Sequence, residues 1–400
     1  MTPIKKIPKI MYPLAMDNWN GEELEAIQHV IASNRFSMGY QVAEFEKEIA
    51  LKFGSKHVVM VNSGSSANLL MLTAIKILLS GKFTNASNII VPAVSWSTTY
   101  TPAFYLGYKL KFVDVDTNHF GLTAEKVREA VDENTVAILT VNLLGSASDL
   151  FGLKSLAEEL GIFLLEDNCE SLGASLGEKF TGTFGSMGSH SSFFSHHINT
   201  MEGGWVTTDD SDIYEILLSL RAHGWSRGLP VNSKLRTNEK QDWFSSQFEF
   251  ILPGMNFRPL EMEAAIGRVQ LAKVDVMLQQ RRQNAEFFLR AMEAIPRVRA
   301  QKPIGESSWF AFAMIFESPK MRKLVAEKLK TNGIECRPIV TGNFTRQPVL
   351  KYLQHEIHGD LAIADNLHFS GLYIGNHPSP LEKEISQTIS LVADLVEKMH

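Results

Sequence analysis

Five short apolar runs constrain this chain more than any other feature of its sequence. HVVMV (57–61), NIIVPAVSW (88–96), KFVDVD (111–116), AILTVNLLG (137–145) and IFLLEDN (162–168) are rich in Val, Ile and Leu. Helical patterns such as TAEKVREAVDE and LKSLAEELG lie between them. Near-continuous apolar strands alternating with helices predict an α/β fold with a mostly parallel sheet covered on both faces. Ligands in such sheets bind outside the carboxyl ends of the strands. The polar residues that end the runs are therefore the first candidates for a site.

The rest of the chain divides around this block. MTPIKKIPKIMYPL reads as an N-terminal arm, and helical spacing follows over 18–33 and 41–53. From Arg258 a long amphipathic pattern, RPLEMEAAIGRVQLAKVDVMLQQRRQNAEFFLRAMEAI, reads as a helix leaving the sheet. Beyond it SSWFAFAMIF and GIECRPIV read as strands, with a helix closed by Gly333 between them. With 400 residues, two domains are expected: a large one over 1–265 and a smaller α+β one over 266–400.

Composition narrows the function classes. The net charge of −5 comes without a basic run, which argues against nucleic acid. Two cysteines, Cys169 and Cys336, are too few for a disulfide framework, a Cys-rich zinc site or an all-Cys iron–sulfur cluster, and no metal is expected. No segment reaches the roughly 18 apolar residues of a membrane span. A cytoplasmic setting is the default expectation.

Several loops could carry chemistry. NSGSSANL places Gly64, Ser65 and Ser66 between a strand and a helix start, where free N–H groups and the helix dipole favour an anion. The same loop also reads as an ordinary Ser N-cap. IFLLEDNCES ends a buried strand with Glu166, Asp167 and then Glu170. A carboxylate there stays ionised only beside a cation or several donors, and it could equally cap a helix. Trp96, just after a strand, could stack on a flat ring or simply lie at the rim of the core. His223 and Arg227 in RAHGWSRG, Asn256 and Arg258 in PGMNFRPLE, and Arg337 in GIECRPIV are polar groups in loops. Arginine forks suit phosphates, and each also reads as a surface group.

Taken in order, SGSSA, VPAVSW, EDNCES, SSFF…EGG and GMNFRPLE resemble the fold-type I, aspartate-aminotransferase-like enzymes of the DegT/DnrJ/EryC1/StrS type, which use pyridoxal 5′-phosphate (PLP) on nucleotide sugars. The resemblance implies that Asp167 pairs with the pyridine nitrogen and that Trp96 stacks on the ring. It places Gly64, Ser65, Ser66 and Ser191 on the phosphate, with Glu170 also in the cofactor site. It implies a homodimer with shared active sites, Asn256 reaching the neighbour's cofactor and Phe248 the neighbour's site. His223, Arg227 and Arg337 become candidate substrate contacts.

One departure from the family pattern decides the expected chemistry. In most members a lysine six residues before the Glu of EGG forms the Schiff base with PLP. Here that Glu is Glu202, the position holds His196, and no lysine lies between Lys179 and Lys234. Imidazole cannot form the imine, but it is a base of useful pKa. The substitution is similar to the branch of 3-dehydratases acting on nucleotide-linked 4-keto-6-deoxyhexoses. One such group takes CDP sugars and carries an iron–sulfur cluster. The other takes GDP-4-keto-6-deoxy-D-mannose without one, and the two-cysteine count favours it. The implied cofactor is pyridoxamine 5′-phosphate (PMP), with loss of the C3 hydroxyl, release of ammonia and recharging by glutamate. His197 is the rival base, since adjacent residues of an extended segment face opposite sides. Three alternatives stay open: a nucleotide-sugar 4-aminotransferase, a CDP-sugar 3-dehydratase, and a PLP-fold protein that only binds.

Overall fold

The computed structural model describes residues 10–236 and 244–399; the first nine residues of the expected arm lie outside them. Seven strands of one sheet come from residues 57–208, with a small hairpin, Ser175–Leu176 and Lys179–Phe180, standing apart from it. The seven are β1 (His57–Val61), β2 (Asn88–Pro92), β3 (Lys109–Val113), β4 (Thr135–Val141), β5 (Phe163–Asp167), β6 (Met187–Ser191) and β7 (Gly204–Thr208). Their order in the sheet is β1-β7-β6-β5-β4-β2-β3, and all are parallel except β7, which runs against both β1 and β6. The five apolar runs are thus β1 to β5. An eighth strand, His355–Ile357, pairs with the outer edge of β3. It comes from the stretch expected to belong wholly to the smaller unit, so that stretch returns to the large sheet.

Side chains of these strands alternate between two covered faces. Ile89, Val91, Leu139 and Leu165 pack with Leu70, Met71 and Ile75 of the helix Gly64–Leu78. Ile90, Val113, Ile138 and Leu164 pack on the opposite side with Val127, Leu153 and Leu156. This double burial explains why the runs are apolar at nearly every position.

Helices begin where side chains satisfy their first N–H groups. Asn20 and Glu23 form a capping box on α1 (Gly21–Ser33). The helix α2 (Tyr40–Phe53) borrows its cap: Glu261 accepts from the N–H groups of Gly39 at 2.7 Å, Gln41 at 2.9 Å and Val42 at 3.0 Å. The Glu of GMNFRPLE is therefore a clamp between distant helices. It opens the long helix Glu261–Met292, which contacts α1 and α2 and continues to a second sheet. That sheet is antiparallel, in the order Val298–Ala300, Ala311–Phe316, Gly371–Gly375, Cys336–Arg337. The strand read in GIECRPIV is only two residues long because Pro338 ends the pairing. The helices Pro319–Thr331 and Glu382–Glu397 bury Val325, Leu329, Ile385 and Val392 against it. No helix among the described residues is long and apolar enough to cross a membrane.

Candidate active site

A cleft of about 510 Å³ opens at the carboxyl ends of the parallel strands. Residues at or just beyond the ends of β1, β2, β5 and β6 line it: Gly64 and Ser65, Ser95 and Trp96, Asp167 and Glu170, Ser191 and His196. The second sheet closes it with Arg337 and Tyr373.

Asp167 ends β5 and is 5% exposed. Its Oδ2 accepts from Asn68 Nδ2 at 2.8 Å and Thr99 Oγ1 at 2.7 Å, and its Oδ1 accepts from the N–H of Cys169 at 3.2 Å. All three donors are neutral. Asn68 is itself oriented by Ser189, whose hydroxyl donates to Asn68 Oδ1 at 2.6 Å. Glu166, one residue earlier, points the other way and accepts from the N–H groups of Gly182, Phe184 and Gly185 at 2.6–2.9 Å. Strand alternation thus gives Glu166 to the fold and Asp167 to the cleft.

The helix Gly64–Leu78 aims its N-terminus into the same space. Ser63 caps it by accepting from the N–H of Ser66 at 3.1 Å. A Cβ at Gly64 would lie 2.7 Å from Ser191 Cβ and 2.9 Å from Cys169 Sγ, so only glycine lets the first turn approach β6 this closely. Ser65 Oγ donates to Thr98 Oγ1 at 2.8 Å and lines the cleft. Ser66, expected on the phosphate, turns back: its hydroxyl donates to Asn62 Oδ1 at 2.6 Å and is not part of the cleft wall. Trp96, at the start of the helix Ser97–Leu106, is 58% exposed on the cleft rim.

The β6–β7 connection presents the two histidines differently. His196 lines the cleft, its ring edge-on to Phe310 at 5.2 Å between centroids. Burial, then the charge of Arg281, pushes its pKa down to about 4. His197 is buried, and its Nε2 donates to the carbonyl of Ser308 at 3.2 Å. Glu170 also faces the cleft. Burial pushes its carboxyl up to about 7, with Leu144 N–H opposing and Asp167 reinforcing the rise.

Besides Ser66, four candidate residues lie outside this chain's cleft: His223 and Arg227, and Asn256 and Phe248, which were expected to reach the neighbour's site. Asn256, His223 and Phe248 gather around Trp225. His223 and Phe248 lie 5.0 and 6.0 Å from its ring, and the guanidinium of Arg258, which donates to Asn256 Oδ1 at 3.0 Å, lies 6.0 Å above it. Arg227 is exposed on the same loop. They sit on segments preceding the long helix, whose backbone pairs Ala222 with Asn256 and Trp225 with Phe250. Conversely, Asn68, Thr99, Arg281 and Phe310 went unnoticed in the sequence. Only Asn68 had a signal there: it lies one helical turn beyond Gly64, on the same face.

The donor set fits a phosphorylated pyridine. A buried carboxylate held only by neutral donors suits a protonated ring nitrogen, and the glycine-tight helix start suits a phosphate. The antiparallel β7 inside a parallel sheet, with Asp167 at the end of β5 facing that helix start, defines the fold-type I class. The chain belongs to the DegT/DnrJ/EryC1/StrS aminotransferase family, whose model matches residues 17–393. It is 47% identical over 386 residues to the GDP-4-keto-6-deoxy-D-mannose 3-dehydratase of Yersinia pseudotuberculosis, covering 96% of this chain and 98% of that one. The E. coli GDP-4-keto-6-deoxy-D-mannose-3-dehydratase with bound hydrated PLP superposes with a TM-score of 0.92 at 47% identity, over 96% of this chain and all of that one. A structure of GDP-4-keto-6-deoxymannose-3-dehydratase with a trapped PLP-glutamate geminal diamine gives 0.92 at 47%, over 95% and 100%.

Proposed function

We propose that this chain is a PLP/PMP-dependent 3-dehydratase of GDP-4-keto-6-deoxy-D-mannose, with His196 as its base. The observation that carries the reading is His196 itself: an imidazole lines the same cleft as Asp167, six residues before Glu202, where the resemblance puts the family's lysine. The likeness to the two dehydratases supports the substrate assignment.

When bound, the cofactor supplies an amine for the C4 ketone and a ring that stores and returns an electron pair. Asp167 holds the pyridine nitrogen protonated, its orientation fixed by Asn68 and Thr99. Gly64, Ser65 and Ser191 hold the phosphate at the helix start, and Trp96 covers the ring. His196, kept neutral by burial, takes a proton beside the reacting carbon and the C3 hydroxyl leaves as water. With no lysine in the connection to recapture it, the bound group would give up its amine as ammonia, and glutamate would be the donor that restores that amine, itself becoming 2-oxoglutarate. The division into a cofactor-binding unit through 265 and a smaller unit beyond it belongs to the same reading. So does a cytoplasmic homodimer in which the Asn256–Trp225–Phe248 cluster completes the partner's cleft.

The test is incubation of the protein with PMP, glutamate and GDP-, CDP- or dTDP-linked 4-keto-6-deoxyhexoses. The expected result is loss of the C3 oxygen from the GDP sugar with free ammonia. A 4-amino sugar formed without ammonia would instead make the chain an aminotransferase.

A further inference from the structure

Arg281 stands on the long helix, 4% exposed, and lines the cleft that holds His196. One side of its guanidinium is anchored to backbone: Nη1 donates to the carbonyl of Asn376 and, at 3.3 Å, to that of Phe310. Asn376 is locked in turn, donating to the carbonyls of Arg281 at 3.1 Å and Trp309 at 2.8 Å. The other side is unmatched. Nε is buried with no hydrogen-bond partner among the described residues. Arg282, the next residue, pairs with Glu306 at 2.9 Å, whereas Arg281 has no such partner among the described residues. The groups that feel its charge are His196, His197 and His377. Burial lowers its own pKa only to about 10, so the group is a cation at neutral pH.

A buried cation without a counter-charge is costly, and a ligand that supplies the anion relieves that cost. We propose that Arg281 receives the α-carboxylate of the amino donor during recharging of the cofactor. The choice among anions follows from position. Arg281 lies beside the base, at the reacting centre. A donor's α-carboxylate is one bond from the carbon that loses its proton there. The diphosphate of a nucleotide sugar is attached at C1, across the ring from the reacting C3 and C4. Guanidinium edges take carboxylates in paired hydrogen bonds, and the Nε edge, away from the Nη1 backbone anchors, is the one left without a partner among the described residues. The assignment rests on the proposed two-half reaction and adds to it the residue that recognises the donor.

The test is calorimetric titration of the PLP-loaded, full-length protein with two amines. One is 2-methylglutamate, which has no α-proton and cannot complete transfer. The other is 4-aminobutyrate, which keeps the amine and distal carboxylate but lacks the α-carboxylate. The wild type should prefer 2-methylglutamate by about 10- to 100-fold. Arg281→Met should abolish that preference while leaving 4-aminobutyrate affinity within about twofold. Arg281→Lys, which keeps the charge without the fork, should show a partial loss and carries the test if the Met variant does not fold. Retention of the preference in both variants would overturn the proposal, and so would equal loss of both amines. Weakened GDP binding with the amine preference intact would assign Arg281 to the nucleotide and overturn it too. Failure of the wild type to dehydrate the keto sugar refutes the parent reading in a separate assay and leaves the amine preference readable.

Discussion

His197 Nε2 donates to the Ser308 carbonyl across 3.2 Å, while the ring of its neighbour His196 faces the cleft. Two adjacent imidazoles are thus divided between fold and chemistry. His196→Asn should lower turnover by about 10²–10⁴ with little change in stability. His197→Ala should cost about 1–3 kcal/mol by stranding a buried carbonyl, and should spare more of the turnover. Urea unfolding and steady-state kinetics on both variants separate the two roles.

His196 also sets an expected pH profile. Its folded pKa of about 4 lies below the usual 6.5. As pH falls from about 6.5, the unfolded chain takes up this proton before the folded one, so the contribution to stability is lost towards pH 4. The base stays neutral above about pH 5. Single-turnover dehydration by PMP-loaded protein should therefore show no inflection near 6.5 that disappears in His196→Asn.

Glu170 behaves in the opposite sense. Its carboxyl is raised from 4.5 to about 7 by burial. The protonated form suits the fold, and stability is lost as pH rises through about 4.5–7. Glu170→Gln should remove that loss. In the cofactor-free protein, Tm of the variant minus that of the wild type should grow across this window and level off above it.

Asn68 joins Asp167 to Ser189. Asn68→Ala leaves both buried partners short of a bond and should cost about 1–3 kcal/mol. It should also weaken PMP binding about tenfold, because Asp167 is free to turn from the ring nitrogen. Fluorescence titration with PMP checks the second effect.

The sequence made some of this legible and hid the rest for physical reasons. Asp167 stood out because a charged residue ending an apolar strand must have a partner. Gly64 stood out because strand, glycine and helix are contiguous. Asn68 and Thr99 did not, since they meet Asp167 only through the sheet order that sets β5 near the helices after β1 and β2. Arg281 carries no signal of its own in an amphipathic helical pattern rich in charge; its burial comes from the Phe310 and Asn376 segments that pack over it. Asn256 and Phe248 were expected at the neighbour's site and His223 among the substrate contacts; the three meet around Trp225, outside the chain's own cleft, because the backbone pairs the segments that carry them. Glu261 read as part of a motif with no stated task, and proved to be a cap for a helix 219–222 residues away.

Reductive trapping tests the central claim most directly. PLP-loaded wild type and His196→Lys are treated with borohydride, denatured and weighed by mass spectrometry. The account predicts no covalent cofactor on the wild type and one per chain on the variant, attached at position 196. Cofactor fixed to any lysine of the wild type, or an unlabelled variant that still binds PLP, would contradict it.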